Sequence, residues 1–331
     1  MQGGTSVKPG LRHRSKLAPH AYERHCGRAR ISGMIKVPDV VRNKAIAVGA
    51  QDWLNELPGI IFELETRWRI EVGPSIEGGT ESYVAEAASE DGTALVLKLL
   101  IPRANNTASN EIKVLTIANG KGCVELLESD EAMGALLMER LGPTLNDLGL
   151  PIGERHEILC AAVERLWRPA PDSGLPTGAE KGEWLIRFIF ELWEELNHPC
   201  SEQVIDHAVA CAERRIASHD PERAVLVHGD VHQWNALQSS DGFKLVDPDG
   251  LLAEAEYDLG ILMREDPLEL LTGDPHERAR WLARRCNLNS TAIWEWGVVE
   301  RVSTSLLCTQ IDLQPVGRDM MMAAEHIAES R

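Results

Sequence analysis

The chain has 331 residues, enough for one large domain or two lobes around a substantial core. Its formal net charge of −17 argues against nucleic acid as a partner, because phosphate backbones are bound by clustered lysines and arginines; it favours a cationic substrate or serves solubility alone. No apolar run approaches the roughly 18 residues of a membrane span, so we expect no membrane partner. Seven cysteines without a CxxC pair suit a reducing compartment, and we expect a cytoplasmic protein.

Residues 1–33 differ in composition from the remainder of the chain. This segment contains several lysines and arginines but a single acidic residue, Glu23. It has neither an apolar period nor the hydrophobic stretch of a secretory signal. A basic, acid-poor leader is compatible with a transit peptide, but we favour a disordered tail or a start assigned too far upstream. We therefore expect the folded part to begin at Met34.

The segment up to residue 141 has the pattern of a small sheet with one helix. In chain order, we predict helices within 37–68, strands beginning at 67–72 and continuing at 81–88 and 93–100, a helix at 107–118, and strands at 123–127 and 135–140. We expect Pro58 and Gly59 to interrupt the first helical stretch, because both residues disfavour a helix interior.

Beyond Pro143 the chain becomes strongly helical. Apolar residues recur at spacings of three and four, which predicts helices at 155–167, 180–196, 201–218, 277–286 and 290–311. Shorter helical segments are expected at 145–148, at 259–263 and after Pro315. Trp294 and Trp296 are expected to pack in the core of this part.

Residues 225–247, which lie among these helices, carry the chemistry. A β-branched run leads into His228-Gly229-Asp230-Val231-His232-Gln233-Trp234-Asn235, and a hairpin that turns at 239–242 follows. The hairpin should bring Asn235, at its start, near Asp247, at its end, on the same side as Asp230. Two carboxylates and a carboxamide at one loop provide hard oxygen ligands for Mg²⁺ and a group for proton transfer.

A zinc site held by His228 and His232 is a second interpretation of the same stretch. Two histidines at this spacing bind Zn²⁺ in H-E-x-x-H enzymes, where both lie on one helix. Because a strand, a loop and a further strand are predicted here, a zinc hydrolase is the weaker hypothesis.

The spacing H-x-D-x-x-x-x-N equals that of the protein-kinase catalytic loop, and the stretch resembles the aminoglycoside phosphotransferase family. Residues 246–251, Val-Asp-Pro-Asp-Gly-Leu, and 256–259, Glu-Tyr-Asp-Leu, resemble its streptomycin 6-kinase and hydroxyurea phosphotransferase branch. The resemblance implies an α+β, protein-kinase-like, two-lobed fold. Residues 34–141 would form a nucleotide-binding lobe with an antiparallel sheet and a helix, and residues 142–331 a mostly helical catalytic and substrate lobe that holds the catalytic hairpin.

The resemblance also implies ATP and Mg²⁺ as cofactors and assigns residues to them. Asp230 would orient the acceptor hydroxyl and accept its proton, and Asn235 and Asp247 would ligate Mg²⁺. Lys98 ends an apolar run as in the V-A-I-K strand of kinases, and it would hold the phosphates while Glu111 on the following helix pairs with it. A lysine snorkelling from a strand edge is the alternative interpretation of Lys98.

Other nucleotide contacts are implied by position. The loop of Gly78, Gly79 and Thr80 would cover the phosphates with its backbone N–H groups, although it lacks the full G-x-G-x-x-G and is by itself an ordinary turn. The hinge between the lobes, from Glu139 to Leu141, would meet adenine through its backbone.

Two further groups of residues follow from the resemblance. The residues expected to support the catalytic loop are His228, His232 and Asp258. Acids are expected where the substrate cleft opens, because charge-assisted hydrogen bonds to a cationic acceptor are among the stronger polar contacts. The candidates are Glu254, Glu256, Glu265 and Asp266.

We therefore predict an ATP-dependent small-molecule O-phosphotransferase, a kinase that inactivates an aminoglycoside of the streptomycin type. A kinase of hydroxyurea or of another hydroxylated amine or sugar is the alternative, since acceptor specificity lies in weakly constrained helices and loops. A nucleotide-binding pseudokinase would be expected to lack one of four residues, yet all four are present: Lys98, Asp230, Asn235 and Asp247. We expect a monomer or a homodimer.

Overall fold

The computed structural model describes residues 35–103 and 107–329. The predicted tail, residues 1–33, lies outside these ranges. Two helices, α1 (Asp39–Ala47) and α2 (Gln51–Trp68), open the described chain.

The predicted interruption at Pro58 and Gly59 is wrong. Pro58 lies inside α2, and the break falls at 48–50, between the two helices. One face of α2 is buried through Trp53, Leu57, Ile61 and Leu64. Burial stabilises each large apolar side chain by roughly 1.5–3 kcal/mol, so together they outweigh the approximately 3 kcal/mol that a proline costs inside a helix.

A five-stranded antiparallel sheet follows, with the spatial order β1-β2-β3-β5-β4. Its strands are β1 (Ile70–Ser75), β2 (Ser82–Ser89), β3 (Ala94–Leu100), β4 (Leu126–Asp130) and β5 (Ala135–Glu139). The predicted hairpin forms β2 and β3, and β3 is the central strand because it pairs with β2 on one side and β5 on the other. Helix α3 (Thr107–Ala118) occupies the predicted range.

The fourth strand begins later than predicted, at Leu126. Cys123 and Val124 join a different partner: Cys123 forms a parallel bridge with Leu245, and the Val124 N–H donates to the Leu245 carbonyl oxygen at 2.9 Å. The chain is thus attached to the catalytic hairpin just before it enters the sheet.

Seven α-helices form the second part among the described residues. They are α4 (Ile152–Leu166), α5 (Gly178–Glu195), α6 (Glu202–Ala217), α7 (Glu256–Leu262), α8 (Glu277–Cys286), α9 (Ser290–Gln310) and α10 (Val316–Glu329). A 3₁₀ turn at Pro267–Leu271 was not predicted. Helix α9 is buried along most of its length, with Trp294 and Trp296 in the core as expected.

Two small antiparallel sheets hold the catalytic stretch within this helical part. Strands β7 (Ala236–Ser239) and β8 (Gly242–Leu245) form the predicted hairpin. Strand β6 (Val225–Val227) pairs with β9 (Leu251–Ala253), which the sequence pattern did not indicate. The pairing of β6 with β9 places residue 250, just before β9, beside the catalytic loop: the Gly250 N–H donates to the His228 carbonyl oxygen at 3.0 Å.

The architecture is the predicted combination of an antiparallel sheet with a helix and a mostly helical part. The described residues from 36 onward form one compact unit, so the lobe boundary between residues 141 and 142 stays a prediction. None of the helices in the described ranges combines the length and apolar character that crossing a bilayer requires.

Candidate active site

A cavity of about 880 Å³ lies where the five-stranded sheet meets the catalytic hairpin. Eleven of the predicted site residues line it, ten predicted for nucleotide, metal or catalysis and one, His232, predicted to support the catalytic loop. These are Gly78, Gly79, Thr80, Lys98, Glu111, Glu139, Leu141, Asp230, His232, Asn235 and Asp247. Residues separated by up to 169 positions in the chain therefore share one concave surface, which is the usual form of a small-molecule site.

Lys98 is the centre of a buried ion cluster. Its ammonium lies 2.7 and 2.8 Å from the Glu111 carboxylate oxygens and 2.7 Å from Asp247 Oδ1. Burial alone would lower the pKa of Lys98, but the charges of Asp247 and Glu111 outweigh it and raise the pKa. The snorkelling interpretation is wrong, because β3 is a central strand and Lys98 is only 4% exposed.

Two strands and one helix bring this cluster together. β3 presents Lys98 toward α3, which carries Glu111, and β8 ends just before Asp247. The backbone of Asp247 has a φ of +59°, a left-handed conformation that few non-glycine residues adopt. Such strain persists where the surroundings hold it, and here Lys98 holds the carboxylate.

The glycine loop that lines the cavity needs its glycines for different reasons. Gly78 has a φ of +119°, which side chains with a Cβ rarely adopt. At Gly79 a Cβ would lie 3.1 Å from the Ser82 carbonyl oxygen, closer than the loop allows without a shift. Thr80 completes the loop and lines the cavity.

The hinge residues Glu139 and Leu141 also line the cavity. The Glu139 carboxylate forms an ion pair with Lys244. The backbone N–H of Glu139 donates to the Glu125 carbonyl oxygen at 3.1 Å, so this N–H is already bonded. No backbone carbonyl of the described residues accepts from the Leu141 N–H. The apolar side chains of the cavity wall include Val84, Val96, Met138, Leu237 and Val246.

Asp230 is held on both sides of its carboxylate. Oδ1 accepts from Arg264 Nη2, and Oδ2 accepts from His232 Nε2 at 3.2 Å and from Asn235 Nδ2 at 3.1 Å. Burial alone would raise the pKa of Asp230, but the positive charge of Arg264 and the hydrogen bond from His232 outweigh it and lower the pKa. The carboxylate is therefore ionised and fixed in orientation.

The loop that carries Asp230 is fastened through its backbone by Asp258. The buried Asp258 carboxylate accepts from the N–H groups of His228 at 3.1 Å and Gly229 at 2.9 Å, and from Trp167 Nε1 at 2.9 Å. Burial raises the pKa of Asp258. These bonds connect the start of α7 and the end of α4 to the catalytic loop.

His228 uses both ring nitrogens inside the protein. Nδ1 accepts from the Asp230 N–H at 3.2 Å, and Nε2 lies 3.0 Å from the Val246 carbonyl oxygen, to which it donates. Burial lowers the pKa of His228, which favours the neutral ring that this arrangement needs. A zinc ion would find no free nitrogen on His228, and the described residues contain no cluster of three His, Cys, Asp or Glu side chains suited to a metal.

Asn235 and Asp247 form a donor set that fits Mg²⁺. The Asn235 amide nitrogen donates to the Asp230 side chain and carbonyl oxygen, which leaves its side-chain oxygen for a cation. The Val246 N–H donates to the Asn235 carbonyl oxygen at 2.9 Å, so the hairpin joins the two ligand-bearing positions as predicted from the turn. Mg²⁺ is commonly bound by one or two such oxygen groups together with phosphates, so a dedicated protein cage is not required.

The four acids predicted at the substrate cleft do not line the cavity. Glu254 accepts from Trp296 Nε1 at 2.7 Å and pairs with Arg215, and Asp266 accepts two bonds of 2.9 Å from Arg155. Glu256 accepts from the Asn289 N–H. Partly buried carboxylates require such partners, and a role for these three acids in binding the acceptor molecule is not supported.

Glu265 differs from the other three acids because it faces the catalytic loop. Its carboxylate accepts from Gln233 Nε2 at 3.3 Å, and burial raises its pKa. Its role toward an acceptor stays a prediction.

Two residues at the site were not predicted from the sequence. Arg264, which contacts Asp230, gives no local signal because its partner lies 34 residues earlier in the chain. Trp234 was visible in the motif but was given no role; its side chain is 53% exposed, and it lines the cavity beside Asp230. A large exposed aromatic residue within a catalytic motif was the available signal.

Comparison with known proteins agrees with this geometry. Residues 67–296 match the family described as aminoglycoside/hydroxyurea antibiotic resistance kinase. Hydroxyurea phosphotransferase from Kitasatospora aureofaciens is 28% identical over 287 residues, which cover 80% of this chain and 82% of that protein. Streptomycin 6-kinase from Streptomyces glaucescens is 27% identical over 238 residues, which cover 69% of this chain and 74% of that protein.

Solved structures share the fold. A thermostable mutant of an aminoglycoside phosphotransferase, in a ternary complex with ADP and hygromycin B, matches with a TM-score of 0.54 at 13% identity over 81% of this chain and 97% of that chain. A choline/ethanolamine kinase family protein from Mesorhizobium loti matches with a TM-score of 0.53 at 17% identity, over 78% of this chain and 87% of that chain. The predicted protein-kinase-like fold is thereby confirmed. Since the family match spans more than half of its length, the chain belongs to the aminoglycoside/hydroxyurea antibiotic resistance kinases.

Proposed function

We propose that the protein transfers the terminal phosphoryl group of ATP to a hydroxyl of a small hydroxylated cation, an aminoglycoside of the streptomycin type, with Mg²⁺ as cofactor. The observation that carries the proposal is that one cavity is lined both by Lys98, bonded to Glu111 and Asp247, and by Asp230 and Asn235 of the catalytic loop. Phosphoryl transfer needs positioning and charge neutralisation more than covalent help, and this arrangement suits both.

Each residue would have a definite task. The Lys98 ammonium would bind phosphate oxygens, and Glu111 keeps it in place. Asp230 would accept a hydrogen bond from the acceptor hydroxyl and take its proton as the new bond forms. Because its pKa is lowered, Asp230 is a weak base, and orienting the hydroxyl is its larger contribution.

Asn235 and Asp247 would hold the magnesium ion. When bound, Mg²⁺ supplies positive charge that neutralises the phosphates and stabilises the charge of the transition state. The adenine would lie between the apolar side chains of the cavity wall, where the Leu141 N–H is available as a donor. The glycine loop would close over the phosphates with its backbone N–H groups.

Hydroxyurea is the second candidate acceptor, and a specific observation favours it. Glu254, Glu256 and Asp266, which a polycation would need, are bonded to partners within the protein. A small neutral acceptor requires no such acids. The relative from Kitasatospora aureofaciens, named as a hydroxyurea phosphotransferase, is consistent with this alternative.

Substrate-dependent release of ADP from MgATP, measured across streptomycin, other aminoglycosides, hydroxyurea and simple amino-sugars, tests the proposal. Turnover with streptomycin is the expected result. Turnover with hydroxyurea alone would keep the phosphotransferase and replace the acceptor. Absence of ADP release with every compound, in protein that binds MgATP by calorimetry, would contradict the proposed acceptor class.

A further inference from the structure

The contact between Arg264 and Asp230 is the starting point. Arg264 follows α7, its side chain is only 13% exposed, and its Nη2 donates to Asp230 Oδ1. The opposite oxygen, Oδ2, is bonded to His232 and Asn235. Arg264 is thus the donor that stops the carboxylate from rotating about its terminal bond, since charge-assisted bonds on both oxygens fix both angle and position.

Arg264 is itself anchored in the core of the helical part. Its Nη1 lies 3.4 Å from Glu300 Oε2 and 3.4 Å from Thr304 Oγ1, both on α9. Glu300 is 5% exposed, and its other oxygen accepts from the Tyr257 hydroxyl. A continuous chain of hydrogen bonds therefore leads from Tyr257 through Glu300 and Arg264 to Asp230.

The backbone around Arg264 is held as firmly as the side chain. Three arginines from three different helices bond the turn formed by residues 263–266. Arg301 on α9 donates to the Met263 carbonyl oxygen at 2.6 Å, and Arg278 on α8 donates to the carbonyl oxygens of Glu265 and Asp266.

The third of these arginines binds the end of the turn. Arg155 on α4 donates to both carboxylate oxygens of Asp266 at 2.9 Å. Asp266 has a φ of +47°, a strained conformation for a residue with a Cβ. Strain of this kind persists only where surrounding contacts over-determine the backbone, and it concentrates at functional sites.

We propose that Arg264 is a positioning residue for phosphoryl transfer, which holds the Asp230 carboxylate in the orientation that receives the acceptor hydroxyl. The inference rests on the proposed function of Asp230. It adds that two sets of contacts determine the orientation of the Asp230 carboxylate: those of Arg264 with Glu300 on α9, and those of the three arginines that bind the turn at residues 263–266. Arg264 does not touch the nucleotide contacts at Lys98 and Asp247, so its effect separates from MgATP binding.

Arg264→Met and Arg264→Lys provide the test. A misplacement of about 1 Å at a reacting group lowers the rate by roughly 100-fold, and we expect this loss in kcat for Arg264→Met with an unchanged KM for MgATP. Lysine keeps the charge but lacks the planar fork, so Arg264→Lys should recover about tenfold of the loss. The measurements are steady-state kcat and KM with the acceptor identified by the compound panel.

Arg215→Met is the matched control. Arg215 is also a largely buried arginine that pairs with a glutamate of α9, Glu295, but it does not contact Asp230. We expect loss of thermal stability without the 100-fold loss of kcat. An equal fall of kcat in Arg215→Met and Arg264→Met would show general loosening of the lobe and would overturn the inference.

A double-mutant cycle separates this inference from the proposed function. If Arg264 acts through Asp230, Arg264→Met should cause little further loss in an Asp230→Asn background. A further loss of about 100-fold there would overturn the positioning role. Parent-like turnover of Asp230→Asn alone would instead contradict the catalytic role proposed for Asp230, whatever Arg264 does.

Two other outcomes complete the test. A lower acceptor KM with unchanged or higher kcat in Arg264→Met would mean that Arg264 competes with the acceptor, against the inference. Should Arg264→Met unfold because Glu300 is left without a partner, the variant Arg264→Met with Glu300→Gln removes both buried charges. In that variant, folded by the criterion of MgATP binding, the same 100-fold loss of kcat is expected, and parent-like kcat would overturn the role.

Discussion

Charged residues on the nucleotide side of the catalytic loop and those beyond it, at residues 254–266, are paired in different ways. On the nucleotide side, Lys98 donates to both Glu111 and Asp247 at the wall of the cavity. Beyond the loop, Glu254 and Asp266 bond to arginines of other helices and leave the cavity wall. An acid that lines a cavity and one that pairs with a buried arginine have the same signature in a sequence, so position in the chain alone does not separate the two groups.

The largest effect is expected at Asp230, the point where the two regions meet. Asp230→Asn removes the oriented carboxylate and its capacity to take a proton, and kcat should fall roughly 10²–10⁴-fold. MgATP affinity, measured by calorimetry, should remain within about threefold of the parent because Lys98 and Asp247 are unchanged. Near-parent turnover would refute the assignment of the catalytic residue.

The nucleotide side is tested by Asp247→Asn. Loss of the carboxylate weakens the proposed Mg²⁺ site by several kcal/mol at most, so MgATP affinity should fall by roughly 100-fold while ATP binding without Mg²⁺ changes little. Asp241→Asn, an exposed aspartate of the same hairpin that pairs with Arg165, is the control. Equal MgATP affinity of the Asp247 variant and the parent would count against the metal site.

The paired acids beyond the loop should respond in stability and not in affinity for the acceptor. Asp266→Asn removes two charge-assisted bonds to Arg155, and we expect the free energy of unfolding to decrease by about 2 kcal/mol. The acceptor KM should stay within about twofold, as measured with any acceptor that turns over. A large rise in acceptor KM without loss of stability would restore Asp266 as a substrate contact.

The smallest effect concerns His156, which lies beside Arg155. Burial, together with the nearby charge of Arg278, lowers the pKa of His156 from 6.5 to about 4. The unfolded chain therefore binds more protons between pH 6.5 and 4, so the full stability is present above pH 6.5 and decreases as the pH falls. Because of this single group, the free energy of unfolding should be about 1 kcal/mol lower at pH 5.5 than at pH 7.5.

His156→Leu should remove that part of the acid sensitivity. Denaturant unfolding of both proteins at pH 7.5 and pH 5.5 gives the difference, in which the other titrating groups cancel. The parent is expected to lose about 1 kcal/mol more than the variant over this interval. Equal losses would show that the ring is hydrated and that this region is less tightly packed than the structure indicates.

Several elements could be predicted because their signals are local. Helices α3 and α8 lie at the predicted residues, since an apolar period along one segment depends on that segment alone. The hairpin of β7 and β8 follows from its turn residues. In contrast, the helix through Pro58 and the strand β9 depend on burial against distant residues, which overrides local propensity.

The amino-acid sequence by itself determined the composition of the catalytic loop and the position of Asn235 and Asp247 at the two ends of a hairpin. Spacings of a few residues restrict geometry so strongly that the pattern and the structure coincide there. Only the tertiary structure decided which charges meet across long separations, such as Arg264 with Asp230 and Arg155 with Asp266. Those pairs form because an unpaired charge enclosed by packed helices is strongly destabilising. The partner comes from a distant part of the chain that only the tertiary fold brings into contact.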